Sequence, residues 1–107
     1  MDAEKRAREI SSVIEMASQG AENDHFAVTT RGGCGACDPG ACRECGYLFS
    51  GEIFVIEHDT RGKRVLSDKT VHYLAHGITR YETGYIVHGA PVVVDLDVEE
   101  LAAYLDL

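Results

Sequence analysis

The sequence predicts an α+β fold: a small, partly antiparallel sheet with about three helices and a metal-binding loop that carries four cysteines. Three observations predict it. Helical periodicity marks both ends and a short middle segment, β-branched and aromatic runs between turn residues mark the strands, and all the cysteines fall within residues 34–45. At 107 residues, with 45% apolar and 26% charged side chains, the chain fits one domain over 1–107 built around its own core.

The elements follow in order. Over 3–19, Ile10, Val13, Ile14 and Ala17 share one helical face and Gly20 serves as the stop. Residues 25–30 are aromatic and β-branched between polar and glycine-rich flanks, which predicts a short strand. The cysteine loop occupies 31–46, and Tyr47, Leu48 and Phe49 return to strand chemistry. Residues 52–58 and 64–66 read as a hairpin around a turn at 59–63. Ser67 or Asp68 caps a short helix to about His76, with Val71, Leu74 and Ala75 facing inward and Gly77 ending it. Residues 85–88 and 92–96 form a second hairpin around 89–91, and Val92, Val93 and Val94 are apolar enough for burial on both faces. Asp97 and Glu100 make a capping pair for a last helix whose apolar side is Leu101, Ala102 and Leu105.

The loop is the informative stretch. Cys34, Cys37, Cys42 and Cys45 follow the spacing C-x2-C-x4-C-x2-C, and the small residues Gly35, Ala36, Ala41 and Gly46 leave room for each pair to curl around one ion. Asp38, Pro39 and Gly40 suit a tight turn that folds the second pair over the first. Four thiolates around one divalent ion form the closed tetrahedral site of structural zinc, and the two net negative charges are softened by Arg31 and Arg43. The run from Cys42 through Arg43, Glu44, Cys45 and Gly46 to Tyr47 resembles the second knuckle of zinc-ribbon proteins, where a glycine after the last cysteine permits a sharp turn. Ribbon pairs are separated by about 15–20 residues rather than four, so the resemblance implies one compact loop instead of two facing hairpins. The same sulfurs leave open an iron–sulfur cluster, although the ferredoxin spacing differs, or a dithiol redox pair.

Other groups give weaker patterns. His72 and His76 share a helical face at i, i+4, but no glutamate follows the first as in zinc proteases, so they read as a partly exposed, hydrogen-bonded pair. His25, His58 and His88 lie at strand ends and read as edge residues. Asp95, Asp97, Glu99 and Glu100 read as capping and solvated groups, and Arg61, Lys63 and Arg64 as a solvated hairpin tip. No phosphate-cradling loop or nucleophile elbow is visible.

A net charge of −8 disfavours nucleic acid as a partner, and the apolar runs are too short to span a membrane. The acidic and basic opening residues do not resemble a signal peptide, and the thiols suit a reducing cytoplasm. The expected protein is a cytoplasmic, zinc-stabilised module that binds a macromolecule, in the first instance a protein, and is not an enzyme, because four sulfurs leave no open coordination position. The alternative is an iron–sulfur or dithiol electron-transfer protein.

Overall fold

A computed structural model of the chain describes residues 2–32 and 40–107. Among these, the order is α1 (Ala3–Ser18), β1 (Phe26–Arg31), β2 (Ile53–His58), β3 (Gly62–Ser67), α2 (Asp68–Ala75), β4 (Arg80–Val87), β5 (Ala90–Asp95) and α3 (Val98–Tyr104). The α+β class is as the sequence predicts. Every strand pairing is antiparallel: one three-stranded sheet runs β1-β2-β3, and β4-β5 stands apart as a hairpin.

The main core lies where α1, α2 and α3 cover the three-stranded sheet. Asp2 caps α1 by accepting the Glu4 N–H at 3.0 Å, and the helix buries Ala7, Ile10, Ser11 and Ile14. Val13 and Ala17 line the margin of this face. The buried Ser11 hydroxyl donates to the Val71 carbonyl at 2.9 Å, so the polar group that enters the core also ties α1 to α2. The sheet contributes Phe26, Val28, Phe54 and Ile56, α3 adds Leu101 and Ala102, and its cap residue Leu105 completes the layer. Asp97 accepts the Glu100 N–H at 3.1 Å, which starts α3 at the capping pair the sequence shows.

A second, smaller core joins Cys42, Phe49, Tyr73 and Tyr81, with Ile78 and Val94 packed on its margin. Helix α2 therefore serves two sides. Val71 and Leu74 enter the main core, while Tyr73 enters the second.

Four expectations need correction. Residues 47–49 are not a strand: Ala41 pairs antiparallel with Leu48, and the segment is one arm of a tight loop around Cys42 and Cys45. Ala75 is exposed, because α2 turns its Val71–Leu74 stripe to the main core and Ala75 falls outside it. Val92, Val93 and Val94 alternate between half-buried and exposed, since their hairpin has one covered face rather than two. The β4-β5 turn is at His88 and Gly89, both at positive φ (53° and 78°), so β4 ends at Val87 and β5 begins at Ala90, two residues earlier than predicted, while β4 reaches back to Arg80.

Candidate metal centre

The site is built from two elements. The first is the tight loop at 41–48, in which the Cys42 N–H donates to the Tyr47 carbonyl at 2.8 Å and the Gly46 N–H donates to the Cys42 carbonyl at 2.9 Å. Gly46 takes φ +77°, a conformation costly for other L-residues, and this brings the chain back after Cys45. The Glu44 N–H donates to Cys42 Sγ at 3.4 Å, which orients the sulfur within the loop. The second element is the C-terminal half of α2, which carries His72 on its surface and His76 as its cap residue.

The fold brings these together. One ligand atom each from Cys42, Cys45, His72 and His76 lies within 4.8 Å of all the others. Cys45 Sγ is 3.3 Å from His72 Nε2, and the two Nε2 atoms are 3.3 Å apart. A tetrahedral zinc with ordinary Zn–S and Zn–N bonds has donor–donor edges of about 3.3–3.8 Å, so these separations suit one ion at the centre. The donor set is a two-cysteine, two-histidine cluster able to coordinate a metal ion. Cys42 is buried at 4% exposure, both histidines are half-buried and Cys45 is exposed, so the cluster has a protein side and a solvent side.

His72 is held by its neighbours. Its ring stacks on Tyr47 with centroids 4.4 Å apart and meets the edge of Phe49 at 5.7 Å. Asp68, in the first turn of α2, fixes this wall from behind: its Oδ2 accepts from the Tyr47 hydroxyl at 3.1 Å, the Ser50 N–H at 3.0 Å and the Ser50 hydroxyl at 3.2 Å. Partial burial, followed by the Asp68 charge, pushes the Tyr47 hydroxyl up, which keeps it a donor. Burial, followed by the proximity of His76, pushes His72 down and favours the neutral imidazole that a metal requires. Ligation through Nε2 places the ring proton on Nδ1.

Of the four sulfurs read from the sequence, Cys42 and Cys45 belong to this cluster, and Cys34 and Cys37 lie outside the described residues. His72 and His76 are the partly exposed, hydrogen-bonded pair that the sequence suggests, and the structure also puts them beside the second cysteine pair. Their i, i+4 spacing was visible, but the contact with Cys45 spans 27 residues and no local pattern encodes it. No protein family, curated protein or solved structure matches the chain.

Several of the remaining candidates find structural partners. His58 is buried and bonded to Asp106 at 2.9 Å, not an edge residue, while His25 is exposed and His88 sits in the exposed β4-β5 turn. The basic hairpin tip is neutralised: Arg61 binds Asp106 at 2.6 Å and the Ala103 carbonyl at 2.7 Å, Arg64 pairs with Glu100, and Lys63 lies 3.8 Å from Glu57. Among the described residues, no helix is long and apolar enough to cross a membrane.

Proposed function

We propose that the chain is a small zinc-stabilised domain of the cytoplasm, that Cys42, Cys45, His72 and His76 hold its ion, and that it acts by binding a protein partner. The convergence of these four donors within 4.8 Å carries the reading. Two thiolates and two neutral imidazoles cancel the charge of a divalent ion, whereas four thiolates leave two negative charges on a chain already at −8. The neutral set costs less to bury beside Cys42. The all-sulfur set of Cys34, Cys37, Cys42 and Cys45 is the competing assignment.

The ion's role is structural. Four protein donors leave no position for water or substrate, so the site supplies no Lewis-acid chemistry, and its effect is to clamp the 41–48 loop to α2. Exposed apolar side chains on the loop and on the β4-β5 hairpin, led by Leu48 at 76% and Ile86 at 71%, supply contact area for a protein surface. The net negative charge argues against phosphate backbones as the target.

An iron–sulfur cluster is the second reading. In a two-iron cluster with two cysteines on one iron and two histidines on the other, a second metal and bridging sulfides separate the two ligand pairs. The 3.3 Å approach of Cys45 Sγ to His72 Nε2 favours a single ion instead.

Elemental analysis of the purified chain and two variants tests the reading. One equivalent of zinc in a colourless protein is expected, lost in His72→Ala and retained in Cys34→Ser. A brown protein containing iron, or zinc that survives in His72→Ala and disappears in Cys34→Ser, overturns it.

A further inference from the structure

The second core is thin, and one of the four metal donors, Cys42, is part of it. Its four buried members come from the 41–49 segment (Cys42 and Phe49), from α2 (Tyr73) and from β4 (Tyr81). The β4-β5 hairpin rests on this cluster through Tyr81 and Val94, with Ile78 at its root, and the Tyr81 hydroxyl is hydrogen-bonded to Thr70 at 2.5 Å. Beyond that root the hairpin projects into solvent, where Ile86, Val87, Ala90 and Pro91 are all exposed. Two-stranded hairpins are marginal alone in water, so this one depends on the small core beneath it. The main core, formed by α1, α3, the three-stranded sheet and the other side of α2, contains none of the four donors.

The two sulfurs are unequally protected. Cys42 is buried and its Sγ accepts the Glu44 amide, whereas Cys45 is exposed. The two Sγ atoms lie within 4.8 Å of each other, close enough for a small movement of the loop to join them. The exposed sulfur is the one an oxidant meets first.

Resting on an ion held by Cys42, Cys45, His72 and His76, we propose that this centre is a peroxide-sensitive latch: oxidation of the two thiolates expels the metal and frees the 41–49 segment and the β4-β5 hairpin while the main core stays folded. The Cys45 thiolate attacks the O–O bond of a hydroperoxide to give a sulfenic acid and hydroxide (alkoxide if the peroxide is organic). The Cys42 thiolate then attacks that sulfur, forming the S–S bond and releasing a second hydroxide. The two anions take up two protons, each peroxide consumed yields one disulfide, and the divalent ion departs because only two neutral imidazoles remain to hold it. Without the ion, Cys42 and Phe49 are held against Tyr73 and Tyr81 only by the Asp68 hydrogen bonds to Tyr47 and Ser50 and by ring packing, and as this weakened contact opens, the face of the hairpin that they cover becomes available to a partner.

The test uses the zinc-loaded full chain and its Cys34→Ser/Cys37→Ser double variant, each treated with excess hydrogen peroxide. Zinc release is followed with a chromophoric chelator, the thiols by peptide mass mapping, and the backbone by hydrogen exchange. Both proteins are expected to release one equivalent of zinc and to form a Cys42–Cys45 disulfide. Exchange over 41–49 and 80–95 should accelerate by about tenfold or more, with β2 and α1 unchanged. Zinc retained by either protein under peroxide, a disulfide that excludes Cys45, or exchange that accelerates throughout the chain overturns the latch. Zinc absent from the double variant before any oxidant is added, or retained in untreated His72→Ala, overturns the metal assignment itself, and so identifies which of the two ideas has failed.

Discussion

The two ring nitrogens of His58 make opposite kinds of bond. Nε2 faces Asp106 Oδ2 at 2.9 Å, while Nδ1 accepts the backbone N–H groups of Thr60 at 3.1 Å and Arg61 at 3.2 Å, a pattern that assigns the proton to Nε2. With both nitrogens engaged, the ring fixes the β2-β3 turn and has no free nitrogen for acid–base work. Asp106 gains from the arrangement: the His58 hydrogen bond, then Arg61, hold its carboxyl below the ordinary 3.8. A carboxylate whose folded pKa lies below its unfolded one adds stability above the unfolded value and loses it as pH falls through the folded value. Asp106→Asn should therefore flatten the acid limb of stability below about pH 4, read by urea unfolding at successive pH values; an unchanged limb would contradict this. None of this was legible at residue level, because the partners are 48 positions apart. A histidine at the end of a β-branched run looks like an edge residue until α3 is docked.

Helix α2 shows what an element's own sequence can and cannot reveal. Its start was readable: Ser67 accepts the Thr70 N–H at 3.1 Å, and Val71 and Leu74 form the expected buried stripe. Its stop was readable too. Gly77 adopts φ +78°, and a Cβ there would meet the Glu4 Cβ at 3.1 Å and the Arg8 guanidinium at 3.3 Å. Gly77→Ala should then lower stability by about 1–2 kcal/mol in denaturant unfolding, since backbone strain and a close approach to α1 add. A variant as stable as the parent would show that the close α1 approach is not maintained. The element did not disclose that it has three working faces in eight residues: Val71 and Leu74 toward the main core, Tyr73 toward the second core and His72 toward the cysteines. A single amphipathic stripe is what periodicity detects, and the other two faces have meaning only against the 41–49 segment.

At the scale of the whole molecule, the described residues form two cores of unequal size joined through α2, with the Cys/His cluster beside the smaller one. The main core was largely legible, because Ile10, Ile14, Leu101 and Leu105 carry helical spacing and the β1-β2-β3 strands carry β-branched runs. The cysteine half of the cluster was legible as a candidate, in the knuckle-like run from Cys42 to Tyr47. The histidine half was not, since burial of His72 under Tyr47 and Phe49 is a consequence of tertiary packing. Closed metal sites couple binding to folding, so strong chelation should lower the melting temperature by about 10 °C, with the second core giving way first. An identical melt with and without the metal would deny the centre a structural role.

X-ray absorption at the zinc edge of the purified chain tests the central claim most directly. The account predicts a first coordination sphere of two sulfurs and two nitrogens, with the outer-sphere scattering of two imidazole rings. A sphere of four sulfurs without imidazole scattering would contradict it.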